Sequence, residues 1–427
     1  MRWKVASIDL SEPLTNLGAD PGYDGVRAVF FWKGIPLGHA RLAGAQLPLE
    51  PQHLAAIAAK AIAQAAGDYL LEEGFRSALP GVPEPPLENP ARALESLLEI
   101  EQPIRKLERC IPASAPPPQT TISVAVCTRE RPEDLARCLE SLERLSERPS
   151  EMLVIDNAPR SGRTREVVAR FPGVRYECEP RPGLSSARNA ALAAASGDVV
   201  AFIDDDVVVH PDWLSRIHAC FNDPQVMVAT GLVLPAELET PAQMIFEQSF
   251  QFFHQGYRRR RFDPEYFAAL RKKGVPVWEI GAGANMAIRR KAYELGHRFD
   301  TRLGPGVFGG CGEDSEFWYG VLARGWTCVY EPSACVFHYH RRELAALRRL
   351  VYQYMQGHVA ALILQFIKYR DVGNLRRLFL RLPGEYVILF LRLIVTGFSL
   401  DYRILMRGAL GCISGLRFAF FRKFQRA

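Results

Sequence analysis

The chain has 427 residues, enough for two or three domains, and its 48% hydrophobic and 23% charged content is that of an ordinary globular protein with a sizeable core. The net charge of +6 is unevenly spread: residues 341–427 carry 16 basic and 4 acidic side chains, so the rest of the chain is net acidic, which excludes a general nucleic-acid-binding surface. Nine scattered cysteines with no CxxC pair exclude a disulfide framework or a zinc site of ordinary spacing, and "MRWKVASIDLSEPL" lacks the apolar run of a secretory signal, so a reducing, cytoplasmic setting is expected.

Residues 1–78 read as a small α+β unit. "VRAVFFWKG" and "IPLGHARLAG" flank a Lys-Gly turn, a hairpin signal, and the stretch opening at Pro51 has apolar residues at helical spacing. This unit matches no chemistry and reads as a docking or regulatory module. Residues 79–118 form a proline-rich linker with one helical stretch. From residue 119 the pattern changes. "TISVAVCT", "EMLVIDNA", "VRYECEP" and "DVVAFIDDD" are strands, and amphipathic helices such as "EDLARCLESLERL" lie between them. Such alternation implies right-handed βαβ units and a parallel sheet, with ligands bound at the carboxyl ends of the strands. Thr128, Asp156 and the cluster Asp204–Asp206 fall at those ends.

The aspartate cluster poses an electrostatic problem. Three like charges directly after a buried strand repel one another, and burying them unpaired is costly. A helix cap or Asx-turn accounts for one aspartate, not three. A hard divalent cation accounts for the set, because Mg²⁺ and Mn²⁺ want oxygen ligands and bridge phosphates to protein. Asp204 and Asp206 share one side of an extended chain and Asp205 the other.

Further candidates follow. Asp156 stands where an acid in a nucleotide-binding sheet hydrogen-bonds a ribose or base, though "DNAPRSG" is also a turn. "RPGLSSARNAAL" opens a helix whose N-terminus favours anions, with Arg188 one turn in. "GAGANMAIRR" offers close backbone approach at Gly283 and Asn285 without a dinucleotide-loop spacing, and Trp278 upstream is placed to stack on a ring. Glu313 and Asp314 begin a helix, where the dipole favours an acid and a general base can be held rigidly. His338 in "CVFHYHRR" is a candidate imidazole ligand.

In order, "ISVAVCTRERPEDLARCLESL", "MLVIDNAP", "GLSSARNAAL", "VVAFIDDDVVVHPDWL", "GAGANMAIRR", "GEDSEFWYGVLARGW" and "VYEPSACVFHYHR" resemble glycosyltransferase family 2 over roughly residues 121–342. The resemblance implies an α/β, GT-A fold: a Rossmann-like, mostly parallel sheet with flanking helices, here joined to the N-terminal unit and a helical C-terminal tail. It implies an inverting transfer of sugar from a UDP-, GDP- or dTDP-linked donor to a glycan or lipid-linked acceptor, in polysaccharide, glycolipid or cell-envelope glycan synthesis. By that resemblance Thr128, Asp156, Arg188, Asp204 and Asp205 lie on the donor side, with Arg188 near the base. Asp206, Asp204 and His338 hold Mg²⁺ or Mn²⁺, Asp314 is the base, and Trp278, Gly283, Asn285 and Glu313 line the sugar or acceptor side. The catalytic domain is placed at residues 119–342.

Two other readings stand beside this one. "FIDDDVV" also fits the nucleophile motif of haloacid-dehalogenase-type phosphohydrolases, with Asp204 attacking phosphate and Asp206 as acid/base, although that class places the motif on its first strand. The other is a non-catalytic scaffold at a membrane. Residues 343–427 read as a basic amphipathic tail in which charges interrupt every apolar run, so an interfacial position on an anionic membrane is expected ahead of a cap packed on the catalytic domain. That places the protein on the inner face of the plasma membrane.

Overall fold

The computed structural model describes residues 2–72, 120–249, 255–396 and 402–418. The linker expected at 79–118, and the end of the tail beyond residue 418, lie outside them.

The N-terminal unit is a three-stranded sheet, β1 (Trp3–Asp9), β2 (Gly25–Trp32) and β3 (Ile35–Ala43), backed by helix α1 (Pro51–Glu72). β1 pairs parallel and β3 antiparallel to β2. The two-residue turn between β2 and β3 has positive φ at Lys33 (46°) and Gly34 (77°), which matches the twist of a tight hairpin. Strand alternation then divides β2. Val26, Ala28 and Phe30 pack with Leu54, Ala58 and Ile62 of α1, whereas Val29 and Phe31 join the core of the large domain.

The large domain is built on one mixed sheet. Its strands are β4 (Ile122–Thr128), β5 (Glu151–Asn157), β6 (Val174–Glu179), β7 (Val199–Asp204), β8 (Val207–Val209), β9 (Val226–Pro235), β10 (Arg260–Phe262), β11 (Asn285–Arg289) and β12 (Thr327–His338). The order is β10-β12-β9-β11-β7-β4-β5-β6, with β8 beside β12. The run β7-β4-β5-β6 is parallel, as is β9-β12, and β11 runs antiparallel between β7 and β9. This is the mixed α/β arrangement expected of a GT-A fold.

Alternation along the buried strands builds two core layers. In β7, Val199, Ala201 and Ile203 face a layer shared with helices α2 (Pro132–Leu142) and α5 (Trp213–Cys220). Val200 and Phe202 face the other, shared with α4 (Leu184–Ala194) and α9 (Glu313–Ala323). Helix α2 shows the local logic: Pro132 sits at its first turn with Glu133 and Asp134, where the dipole favours acids, and Leu135, Cys138, Leu139 and Leu142 form its buried stripe. Fully burying one such leucine contributes about 1.5–3 kcal/mol. Between them, α3 spans Arg163–Val168, α6 Pro241–Ser249, α7 Pro264–Leu270 and α8 Lys291–Glu294. Thr128 pairs with Asp156, and Cys127 with Asp204, so the polar ends of β4, β5 and β7 share one edge.

The tail packs on this domain. Helix α10 (Leu344–Tyr369) lies against α9 and the glycine-rich loop before it, followed by α11 (Val372–Arg376), a π-helical turn over Arg377–Arg381, α12 (Leu382–Thr396) and α13 (Tyr402–Arg417). The approach is close: a Cβ on Gly357 would stand 1.2 Å from the carbonyl oxygen of Cys311. Helix α10 is thus an integral wall of the domain. No helix among the described residues is long and apolar enough to cross a membrane.

Candidate active site

The shared strand edge opens into a cavity of about 540 Å³. Thr128, Asn157, Arg188 and Asp204–Asp206 line it from the sheet side, Gly283 and Asp314 from the loops, and Tyr354, Met355 and His358 from α10.

Asp204 ends β7, Asp205 and Asp206 form the turn to β8, and Arg131 Nη1 bridges the last two. Asp204 contacts the guanidinium of Arg188 at 3.4 Å. Asp205 accepts the Thr128 hydroxyl at 2.7 Å and Arg131 Nη1 at 2.9 Å. Asp206 faces Arg131 at 3.0 Å, His338 Nε2 at 3.1 Å and Arg341 at 3.6 Å. The titration behaviour follows. Burial, opposed by Arg131 and reinforced by the flanking aspartates, pushes Asp205 up to about 6. Burial also disfavours the charge of Asp206, but His338, Arg131 and Arg341 outweigh it and hold this carboxyl well below the usual range. Burial opposes protonation of His338, whereas Asp206 and Asp204 favour it, and the net direction is upward.

Asp204, Asp206 and His338 can each offer a ligand atom within 4.8 Å of the others. Two carboxylates and an imidazole suit Mn²⁺, and Mg²⁺ through the oxygens, so the donor set fits a divalent cation.

Asp314 sits at the start of α9, after Gly312 at φ 131°. Its Oδ2 accepts from the Gly283 amide at 3.2 Å, and its Oδ1 from the Ser315 amide at 2.6 Å. Gly283 is needed for this approach, since a Cβ there would lie 2.9 Å from the Arg188 guanidinium and 3.1 Å from Asp314. Trp278 lines the cavity with the Arg377 guanidinium 4.5 Å over its ring and His358 edge-on at 5.0 Å.

Four of the residues singled out in the sequence are buried in the structure. Arg188, expected near a base, is 2% exposed. It donates to Glu313 at 2.8 Å and to the Gly283 carbonyl at 3.1 Å, so it fixes Asp204 and the Gly283 loop from behind. Glu313, expected on the acceptor side, turns inward to Arg188; burial and Asp314 push it up to about 7 against the pull of Arg188. Asn285, also expected there, is fully buried: it accepts from Trp213 Nε1 at 2.8 Å and donates to the carbonyls of Leu232 and Ala334, tying β11 to α5, β9 and β12. Asp156, expected against the nucleoside, is fully buried beneath Tyr176, whose hydroxyl it accepts at 2.9 Å, and its neighbour Asn157 lines the cavity instead.

Sequence reasoning missed Arg131, Arg341 and the α10 wall. The first two had a signal, since three adjacent acids demand cations and "CTRERPED" and "HYHRR" supply them. The wall had none: Tyr354, Met355 and His358 read as ordinary helix positions.

Residues 123–296 match the model of "Glycosyl transferase family 2". The succinoglycan biosynthesis protein ExoM of Rhizobium meliloti (strain 1021) is 30% identical over 229 residues, covering 50% of this chain and 65% of the relative. A glucosyl-dolichyl phosphate glucuronosyltransferase of Haloferax volcanii is 30% identical over 120 residues, covering 27% and 38%. The chain thus spans less than two thirds of either relative. Among solved structures, the mannosyltransferase PcManGT from Pyrobaculum calidifontis in complex with GDP-Man and Mn²⁺ superposes with a TM-score of 0.46 at 17% identity, covering 88% of this chain and all of that one. Asp314 and His338 lie beyond the segment similar to glycosyl transferase family 2, yet the fold returns both to the cavity formed by its strand ends.

Proposed function

We propose that the protein transfers a sugar, with inversion, from a nucleoside diphosphate donor to an acceptor hydroxyl in glycan synthesis. The observation that carries this reading is the convergence of two separate acidic centres on one cavity: Asp204 and Asp206 with His338, and Asp314. Inversion needs both. The acceptor oxygen attacks the anomeric carbon, the bond from that carbon to the diphosphate oxygen breaks, and the hydroxyl proton goes to a carboxylate on the attacking face. Asp314 is that carboxylate, held by the Gly283 and Ser315 amides. A positioned base of this kind contributes about 10²–10⁴-fold. Mg²⁺ or Mn²⁺, held by Asp204, Asp206 and His338, would neutralise charge on the leaving diphosphate. The donor lies against Thr128, Asn157 and Asp205, and Arg188 with Glu313 keeps Asp204 and the Gly283 loop in place. Trp278 and the α10 wall shape the acceptor side. A phosphohydrolase reading is disfavoured, because Asp204 is engaged by Arg188 and its strand follows three strand-helix units.

The relatives' names point toward polysaccharide or lipid-linked acceptors. The tail supports a membrane-surface position, on the inner face of the plasma membrane. Phe379, Leu380, Ile388, Phe390 and Ile413 are each more than half exposed, and Arg376, Arg381, Arg403 and Arg407 of the same tail are exposed with them. That is the composition of an interfacial face drawn to anionic lipid. Flotation on anionic liposomes tests it: the wild type floats, and the variant carrying Leu380→Glu and Ile388→Glu stays in the dense fraction. Equal flotation removes the membrane reading and leaves the transferase reading intact.

A further inference from the structure

The N-terminal unit carries no catalytic motif, yet the face of β2 that bears Val29 and Phe31 against the large domain also bears Arg27. Arg27 is 4% exposed, and its Nη2 lies 2.6 Å from Glu247 Oε1 of α6. The other Glu247 oxygen is 3.6 Å from His340 Nε2. His340 Nδ1 stands 3.0 Å from His338 Nδ1, and His338 Nε2 stands 3.1 Å from Asp206 Oδ1. A single run of polar contacts therefore leads from the N-terminal sheet to the acidic cluster.

The order of donors in this run is constrained. His338 Nε2 points into the cluster, whether it donates to Asp206 or offers its lone pair to a cation. When Nε2 offers its lone pair to a cation, His338 Nδ1 carries the proton shared with His340. The Nδ1 of His340 is then the acceptor, so its own proton sits on Nε2 and faces Glu247. Glu247 is the acceptor that faces it, 3.6 Å away, and Arg27 holds that carboxylate in place. Helix α6 fixes His340 in two further ways: Gln243 Nε2 donates to its carbonyl at 3.2 Å, and the Phe246 ring packs 4.5 Å from the imidazole. Partners behind a metal-binding imidazole set its orientation and basicity.

We propose that Arg27 is a positioning residue for the metal site, acting through Glu247 and His340 on His338. The N-terminal unit is on this account the outer support of the ligand set rather than an appended module. A buried Arg–Glu pair is a poor source of net stability, which favours a specifying role for this one. The inference rests on the metal-site reading above.

The test uses the full chain and Mn²⁺ alone, with loss of the free-ion electron paramagnetic resonance signal as readout. Arg27→Met and Glu247→Gln should weaken Mn²⁺ binding about 10–100-fold, the range for loss of such partners. Arg27→Lys should recover part of it. Tyr23→Phe removes another contact between the same two units, the 3.1 Å bond to Glu239, and should leave affinity unchanged. If Arg27→Met does not fold, the isosteric Glu247→Gln decides. Unchanged affinity in folded Glu247→Gln overturns the inference, as does equal weakening by Tyr23→Phe, which would trace the effect to docking in general. A wild type that binds no Mn²⁺ refutes the metal-site reading itself, and the inference with it.

Discussion

The two walls of the cavity are built by opposite rules. On one side, consecutive parallel strands deliver Thr128, Asn157 and Asp204–Asp206 to a common edge, each at the end of its own strand. On the other, a single long helix delivers Leu347, Leu350, Tyr354 and His358 at three- and four-residue steps, and its docking depends on Gly357 and on charges far from the cavity. The sheet wall is polar and held by buried ion pairs. The helix wall is largely apolar where it lines the cavity, and is held by the close approach at Gly357 and by the Lys368 ion pairs away from it. On the function proposed above, chemistry sits on the sheet side and the acceptor space on the helix side, so the two walls should fail differently when perturbed.

The largest effect is expected at the chemical centre. Asp314→Asn should lower the transfer rate about 10²–10⁴-fold while nucleotide affinity is kept. Single-turnover kinetics beside nucleotide titration checks this, and a normal rate would remove Asp314 from the role of base.

The helix wall should instead fail in stability. Lys368 of α10 contacts Asp300 at 2.9 Å and Glu316 at 2.7 Å, and Glu316 is fully buried on α9. Lys368→Met strands that carboxylate, a change that costs roughly 3–5 kcal/mol. Thermal unfolding should show it, with nucleotide affinity of the remaining folded protein unchanged.

A smaller effect depends on pH. His297, buried against the Phe317 carbonyl at 2.8 Å, is pushed down to about 4, chiefly by burial. Its folded value lies below the unfolded one, so the unfolded state binds the extra proton first. Its contribution is complete above pH 6.5 and is lost as pH falls toward 4, by up to ~3 kcal/mol. Denaturant unfolding across that window should be flatter for His297→Gln than for wild type.

The smallest effect separates the walls most finely. Trp278→Ala should raise the acceptor KM about tenfold, near 1.4 kcal/mol, with donor affinity held. A change in donor affinity alone would move Trp278 to the other side.

The contrast between the walls also explains what the sequence revealed. Strand alternation and helical stripes are local signals, and so the βα order, the hairpin at Lys33–Gly34 and the aspartate turn were legible. The direction of a side chain on a helix was not. Arg188 looked available to a ligand because its partner Glu313 lies 125 positions away, and only the fold shows that the arginine faces inward. The partners of Asn285 were hidden for the same reason, coming from β9, β12 and α5. The tail read as membrane-facing because apolar residues outnumber what one surface needs; in the structure one set packs on the domain and another stays exposed.

The central claim is metal-dependent use of a nucleoside diphosphate sugar at the aspartate turn. Its most direct test is a panel of UDP-, GDP- and dTDP-sugars, with and without Mn²⁺ or Mg²⁺, monitored for nucleotide binding and for release of the nucleoside diphosphate. The account predicts that at least one donor binds and is slowly consumed only with the cation, and that Asp206→Asn abolishes both. Binding that ignores the cation, or no binding to any of the panel, would contradict it.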